Sequence, residues 1–236
     1  MPPENLRPNN LEKARDYWDK EGERGWREDE GPDPFFNQFC AQHKSELGRD
    51  VLDVGSGNGR YVMPLARDGF NVTGLDLSEG MISAAQRRLA EQNLRANFVK
   101  GQSAELPFGD GSFDFVISTG AIHHNNIEGV RGSFKEINRV LKPEKYFLFM
   151  GRSVNDDSEE REITEDMRGQ GLGFTGADRQ GIKKDIAQHY FSAEELRQLG
   201  EEYGFEITAE PHEQLRAAET PDKKTARIWA VYKKRE

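Results

Sequence analysis

Val51–Arg60, VLDVGSGNGR, reads as a buried strand running straight into a glycine-rich turn. Val51, Leu52 and Val54 enclose Asp53 in an apolar run of strand length, and Gly55, Gly57 and Gly59 follow at alternate positions. An apolar strand that ends in closely spaced glycines and opens a helix is a candidate ligand cradle. Glycine has no Cβ, so it tolerates positive φ and lets ligand atoms lie against the backbone.

The spacing narrows the ligand. A dinucleotide fingerprint needs glycine at the first, third and sixth positions of the turn, the last for close helix packing below a pyrophosphate. Here the sixth position is Arg60, which argues against a nicotinamide dinucleotide. Downstream, VTGLDLSEGM places Asp76 at a second strand end, LPF stands at Leu106–Phe108, FDFVIST reads as a fourth strand, and RVLKP precedes a fifth. Together with an acidic residue two places before G-x-G-x-G, these blocks resemble the class I S-adenosylmethionine-dependent methyltransferases, in that family's order and over roughly half the chain. The resemblance implies an α/β, Rossmann-like, doubly wound sheet of seven strands, mostly parallel, with an antiparallel last strand.

Composition bounds the rest. The chain has 236 residues, enough for one α/β domain with insertions. Hydrophobic residues make up 35% and charged residues 32%, and mean hydropathy is -0.85, so apolar residues must concentrate in the strands. The net charge of -9 opposes the field of a nucleic-acid backbone and makes RNA and DNA less favoured partners. Cys40 is the single cysteine, which permits no intramolecular disulfide and no cysteine metal site; His43, His189 and His212 are scattered and no second ligand stands at useful spacing, so no metal site is expected. MPPENLRPNN lacks the features of a signal sequence, and no apolar run approaches the ~18 residues of a membrane span, so the expectation is a cytoplasmic protein.

In chain order, residues 1–48 are expected to form a helical cap and 49–236 the cofactor-binding domain. Leu11, Ala14, Tyr17 and Trp18 recur at helical spacing, and Phe35, Phe36, Phe39 and Cys40 do so after the GPDP turn. In the family such helices fold over the cofactor; plain packing explains the same stripes, and both readings stand for Tyr17 and Trp18, with less weight on Trp26. Strand and helix then alternate regularly, the sign of a parallel sheet covered on both faces. Residues 151–190 break that rhythm and are expected to form a lid or substrate insertion. A capping box at Ser192 and Glu195 opens another helix, and strands at Phe205–Glu210 and Arg227–Lys233 complete the chain.

The resemblance assigns site residues. Asp53, buried in an apolar strand, needs amide or ammonium partners, and by resemblance orients the turn and the cofactor's amino group. Gly55, Ser56, Gly57 and Gly59 carry the methionine half across the turn. Asp76 accepts both ribose hydroxyls, Leu77 and Met81 flank the adenine, and Gln102 and Ser103 stand where the family has an acidic and a small residue for the adenine edge. Ser118 and Thr119 lead to the methionine end. His123 and His124 are adjacent and cannot share one helix face; His124 matches the more frequent family histidine, as catalytic base or structural residue. Tyr17 and Tyr190 are further candidates for taking a proton. Glu144 and Lys145 replace the family's Gly-Gly before the fifth strand, so that turn is expected to change shape.

The expected function is methyl transfer from S-adenosylmethionine, leaving S-adenosylhomocysteine, to a small-molecule acceptor. NGRY and IHH also resemble the wobble-uridine methyltransferases of transfer RNA, which keeps a nucleic-acid acceptor as the first alternative. A cofactor-binding protein without catalysis is the second.

Overall fold

The computed structural model describes residues 11–156, 174–177, 186–217 and 224–236. Most of the insertion expected at 151–190 therefore lies outside the described residues.

Two helices precede the sheet, α1 (Leu11–Glu23) and α2 (Pro34–His43). Asp33 caps α2 by accepting the Phe35 N–H, and Pro34 stands at the first helical position, where a missing N–H costs nothing. The sheet then begins with β1 (Asp50–Val54), followed by α3 (Val62–Arg67), β2 (Asn71–Asp76), α4 (Glu79–Glu91), β3 (Asn97–Lys100) and β4 (Phe113–Thr119). Pro64 falls in the first turn of α3, so its missing N–H breaks no helix bond, and Gly69, at φ 87°, follows the helix end.

A 3-10 turn at Ile122–His124, α5 (Ile127–Val140), β5 (Leu141–Ser153), β6 (Phe174–Ala177), β7 (Ala187–Phe191), α6 (Ala193–Glu202), β8 (Phe205–Ala217) and β9 (Lys224–Lys234) complete the described chain. Strands β1 to β5 are parallel in the order β3-β2-β1-β4-β5, and β9 lies antiparallel to β5 with β8 antiparallel beyond it. These are the seven expected strands, with the antiparallel partner where the resemblance put it.

β6 and β7 are an addition. β7 pairs in parallel with Arg152 and Ser153 of β5, while β4 pairs with β5 only as far as Met150. Because Arg152 also pairs with Arg227 of β9 on the other edge, β7 must continue the sheet on the side where β4 stops. The insertion thus adds a strand pair at the carboxyl end of the sheet.

Side chains alternate between two cores, as the two-residue period of a strand requires. Leu52, Val54, Val116, Phe147 and Phe149 face α5 and α6, with Phe134 at the centre. Val51, Phe115, Ile117, Leu148 and Met150 face α2 and α3. Cys40, half-buried on α2, has its thiol pushed up to about 12 by burial. The turn expected before the fifth strand falls inside the amino end of β5 and does not avoid left-handed geometry as expected: Glu144 adopts φ 62° itself. Its carboxylate reaches Lys233 of β9 at 2.7 Å.

Candidate functional site

The carboxyl ends of β1, β2, β4 and β5 surround a cavity of about 230 Å³. That is where an open parallel sheet offers its loops and helix N-termini to a ligand. Gly55 and Ser56 donate their N–H groups to the Leu75 carbonyl at 2.7 and 2.9 Å, which folds the glycine turn against the end of β2.

The three glycines do different work. At Gly55, φ 75°, an added Cβ would stand 2.1 Å from the Ala121 Cβ, and at Gly59, φ 80°, 3.2 Å from that of Ala85. Those two are required by close packing against the loop after β4 and against α4. Gly57, φ 53°, would place a Cβ in open space and lines the cavity. Of the three glycines expected beside the ligand, Gly55 and Gly57 line the cavity, while Gly59 lies behind the wall.

Asp76 closes the turn. Its Oδ2 accepts the Gly57 N–H at 2.8 Å and its Oδ1 the Ser78 N–H at 2.9 Å. Burial pushes this carboxyl up, and the Ser78, Gly57 and Leu77 N–H groups pull it part of the way back. The carboxylate keeps acceptor capacity for a hydroxyl from the cavity. Leu77 and Met81 line the wall beside it.

Asp53 departs from expectation. It is 1% exposed and lies behind the cavity, and neither carboxylate oxygen has a hydrogen-bond partner among the described residues. Burial, with the nearby charge of Asp76, pushes its carboxyl up to about 8. Ser118 is also turned inward: its Oγ donates to the Val54 carbonyl at 2.9 Å, tying the end of β4 to β1. Thr119, one residue on, reaches the cavity.

On the adenine side as assigned by resemblance, Gln102 donates from Nε2 to Glu105 Oε2 at 2.9 Å, which aims its amide oxygen away from Glu105. Ser103 Oγ lies 2.7 Å from Ser133 Oγ on α5. Both Gln102 and Ser103 line the cavity.

The N-terminal segment forms the roof. Asp19 of α1 accepts the Ser78 hydroxyl at 2.7 Å and the Gly80 N–H at 3.0 Å, so from outside α4 it adds a carboxylate to the Ser78 hydroxyl cap of that helix. The Cβ position of Gly22 would lie 2.4 Å from the Gly80 backbone, so α1 and α4 cross through paired glycines. Asn58 donates to the Trp26 carbonyl at 2.5 Å, Arg88 to the Asn58 and Glu28 carbonyls, and Arg60 to the Gly31 carbonyl at 2.6 Å. Arg60, where a dinucleotide fingerprint would have glycine, is thus a strut between the turn and the roof.

Trp18 and Trp26 line the cavity, with ring centroids 5.2 Å apart; Tyr17 does not line it. Helical spacing could not separate Tyr17 from Trp18, because adjacent residues on a helix differ by about a quarter-turn and the roof's tilt decides which one faces down. Trp26 lies beyond α1 and had no periodic signal.

His123 and His124 both line the cavity. Their rings are 4.0 Å apart, and His124 meets Trp18 edge-on at 5.1 Å. The expectation that neighbours must diverge assumed an α-helix. A three-residue 3-10 turn that leads into extended backbone at Asn125 keeps both rings in the wall. Tyr190 is 2% exposed, on β7, outside the cavity lining, with the Arg152 guanidinium 5.9 Å from its ring. Arg152 and Arg227 line the cavity and had no motif to announce them; Tyr61, the last residue of NGRY, lines it too.

The comparisons agree with this architecture. Residues 51–144 match the family described as a methyltransferase domain. The demethylmenaquinone methyltransferase of Clavibacter sepedonicus is 41% identical over 97 residues, covering 41% of this chain and 38% of that protein. The methyltransferase YqeM of Bacillus subtilis is 33% identical over 157 residues, 63% of each. This chain therefore spans less than two thirds of the length of these curated relatives. Among solved structures, the 1,6-didemethyltoxoflavin-N1-methyltransferase of Burkholderia thailandensis has a TM-score of 0.65 or better, at 0.68, with 20% identity over 98% of this chain and 92% of that one. A methyltransferase of Methanosarcina mazei has a TM-score of 0.65 with 22% identity, over 87% and 99%. Residues 51–144 are thus similar to a methyltransferase domain, and the fold is similar to that of solved S-adenosylmethionine-dependent methyltransferases.

Proposed function

We propose that this protein binds S-adenosylmethionine beneath the Trp18–Trp26 roof and transfers its methyl group to a small-molecule acceptor. The observation that carries the reading is the Gly57–Asp76 pair. A carboxylate anchored by two backbone N–H groups stands beside a glycine whose missing side chain leaves the cavity open. That combination fits a ribose beside a backbone the ligand must cross. Leu77 and Met81 offer apolar surface to a purine, and the Gln102 amide oxygen can accept from its amino group.

When bound, the cofactor supplies an electrophilic methyl on a sulfonium. The protein's share is alignment and exclusion of water. The aromatic roof excludes solvent, and the turn and Thr119 fix the line of approach. An amine or hydroxyl acceptor also needs a group to take its proton. Of His124, Tyr17 and Tyr190, His124 is the one that lines the cavity. Small-molecule acceptors agree with the net charge of -9 and with the quinone methyltransferases among the relatives. No helix among the described residues is long and apolar enough to cross a membrane, and the reading includes a cytoplasmic setting.

Calorimetric titration with S-adenosylmethionine and S-adenosylhomocysteine, with NAD as control, tests it. Micromolar binding of the first two without the third is expected. Binding of NAD alone would overturn the reading.

A further inference from the structure

Asp53 lies one layer of side chains beneath the floor of the cavity. In register, β2 sets Gly74 on one side of it and β4 sets Ile117 on the other. Two residues further along the same three chain segments come Gly55, Asp76 and Thr119, and all three line the cavity. A strand rises about 3.3 Å per residue and returns to the same face at every second one, which puts Asp53 roughly 7 Å below that floor.

The carboxyl is enclosed there without a partner. It is 1% exposed, and neither oxygen has a hydrogen bond among the described residues. Gly74 and Ile117 offer it no polar side chain. α2 and the start of α3 cover its face with Phe36, Tyr61 and Val62, and burial keeps the Tyr61 phenol protonated. The charge that acts on it is that of Asp76, which has its own sign. Above the floor, the loop after β4 brings His123 and His124 to the cavity wall, while Arg60 is tied to Glu30 and Gly31. An ionised carboxylate in this place would be desolvated, short of donors and beside a like charge, so the neutral acid is the stable form.

We propose that Asp53 is a proton-linked charge sensor beneath the cavity: it gives up its proton when the sulfonium cofactor binds and regains one after methyl transfer, so the site favours S-adenosylmethionine over S-adenosylhomocysteine. The inference rests on the methyltransferase reading and adds to it the residue that tells cofactor from product. The two ligands differ by a methyl group and by the positive charge on sulfur. A cation over Gly55 and Thr119 offsets the charge of Asp76 and favours the ionised form of Asp53, and packed protein screens it far less than water would. The bond that breaks is the Asp53 O–H, and its proton passes to the buffer. Once the sulfur is a neutral thioether, that support is gone and Asp53 takes a proton back. By linkage, each full proton released makes affinity rise about tenfold per pH unit, up to the carboxyl's own titration at about 8.

Calorimetric titration of the full chain with each ligand tests it, in phosphate and in Tris, whose different ionisation enthalpies count the protons released. At pH 7.5, S-adenosylmethionine should release about half a proton or more and S-adenosylhomocysteine distinctly less. The ratio of the two affinities should rise about threefold or more from pH 6 to pH 8. Asp53→Asn, uncharged and nearly the same shape, should lose the difference in proton release and hold the ratio level over that range. Asp53→Ser, smaller and equally uncharged, should behave alike and serves if the first variant folds poorly. Equal proton release for the two ligands in the wild type, or a level ratio, would overturn the inference. A difference that persists in both variants would also overturn it, by moving the proton to Asp76 or to His123 and His124. Failure of the wild-type chain to bind either ligand would instead overturn the methyltransferase reading, and the sensor with it.

Discussion

The Gly57 N–H donates to Asp76 Oδ2 at 2.8 Å, so the turn after β1 is held by the carboxylate at the end of β2. One side chain thereby shapes the cradle and presents its remaining lone pairs to the cavity. Asp76→Ala should remove both functions. Cofactor affinity is expected to fall at least tenfold to a hundredfold, because hydrogen bonds to a charged group contribute about 1.5–3 kcal/mol. Calorimetry with S-adenosylmethionine measures it, and unchanged affinity would refute the ribose assignment.

Gly57 and Gly55 should respond differently to a side chain. Gly57→Val points into open space, so the fold should survive with a strain of about 1–2 kcal/mol from the left-handed backbone, while cofactor binding is lost. Gly55→Ala drives a methyl into Ala121 and should lower thermal stability more than Gly57→Ala does. Thermal melts with and without S-adenosylhomocysteine separate the two; ligand stabilisation retained in Gly57→Val would contradict the cradle geometry.

Asp53 makes stability depend on pH. The unfolded chain releases this proton near the ordinary 3.8, whereas burial holds it in the folded protein up to about 8. Between those values the unfolded state binds fewer protons, so stability falls as pH rises, by about 1.4 kcal/mol per pH unit for a full proton. Asp53→Asn should remove this slope, so that its advantage over the parent grows from pH 5 to pH 8. Denaturant unfolding at several pH values reads it, and parallel curves for the two proteins would exclude Asp53 as the source.

Glu144 occupies left-handed backbone at φ 62° without being glycine. Glu144→Gly and Glu144→Ala both lose the Lys233 pair, so their difference isolates backbone strain. Gly should be the more stable of the two by about 1 kcal/mol, a gap of about 2–4 °C in Tm for a chain of this size. Methyl transfer should be unaffected in both, since the turn lies at the amino end of β5, away from the cavity. Equal melting temperatures would mean that the turn relaxes when the side chain is changed.

Much of the sheet could be read directly because its signals are local. An apolar run that ends in glycines reads as a buried strand meeting a tight turn, Asp76 stands about twenty residues on, and the resemblance adds Leu77 and Met81. The capping residues Ser78 and Ser192 were equally legible, since a cap acts within three residues of itself. A helical cap was legible, but which of its side chains face the cavity was not, and neither was the β5–β9 wall. Trp18, Trp26, Arg152 and Arg227 reach the cavity through the crossing of α1 on α4 and the register of β5 on β9, and no short window of sequence records either.

The amino-acid sequence by itself determined that this chain builds a parallel α/β sheet with a glycine turn and a carboxylate at adjacent strand ends, because periodicity, glycine's missing Cβ and cap chemistry act over a few residues. Tertiary structure alone decided which glycines face the cavity, which aromatic rings close the roof, and that Arg152 and Arg227 are opposed across β5 and β9. Those outcomes depend on long-range packing and strand register; a one-residue slip of β9 on β5, for example, would turn Arg227 to the other face.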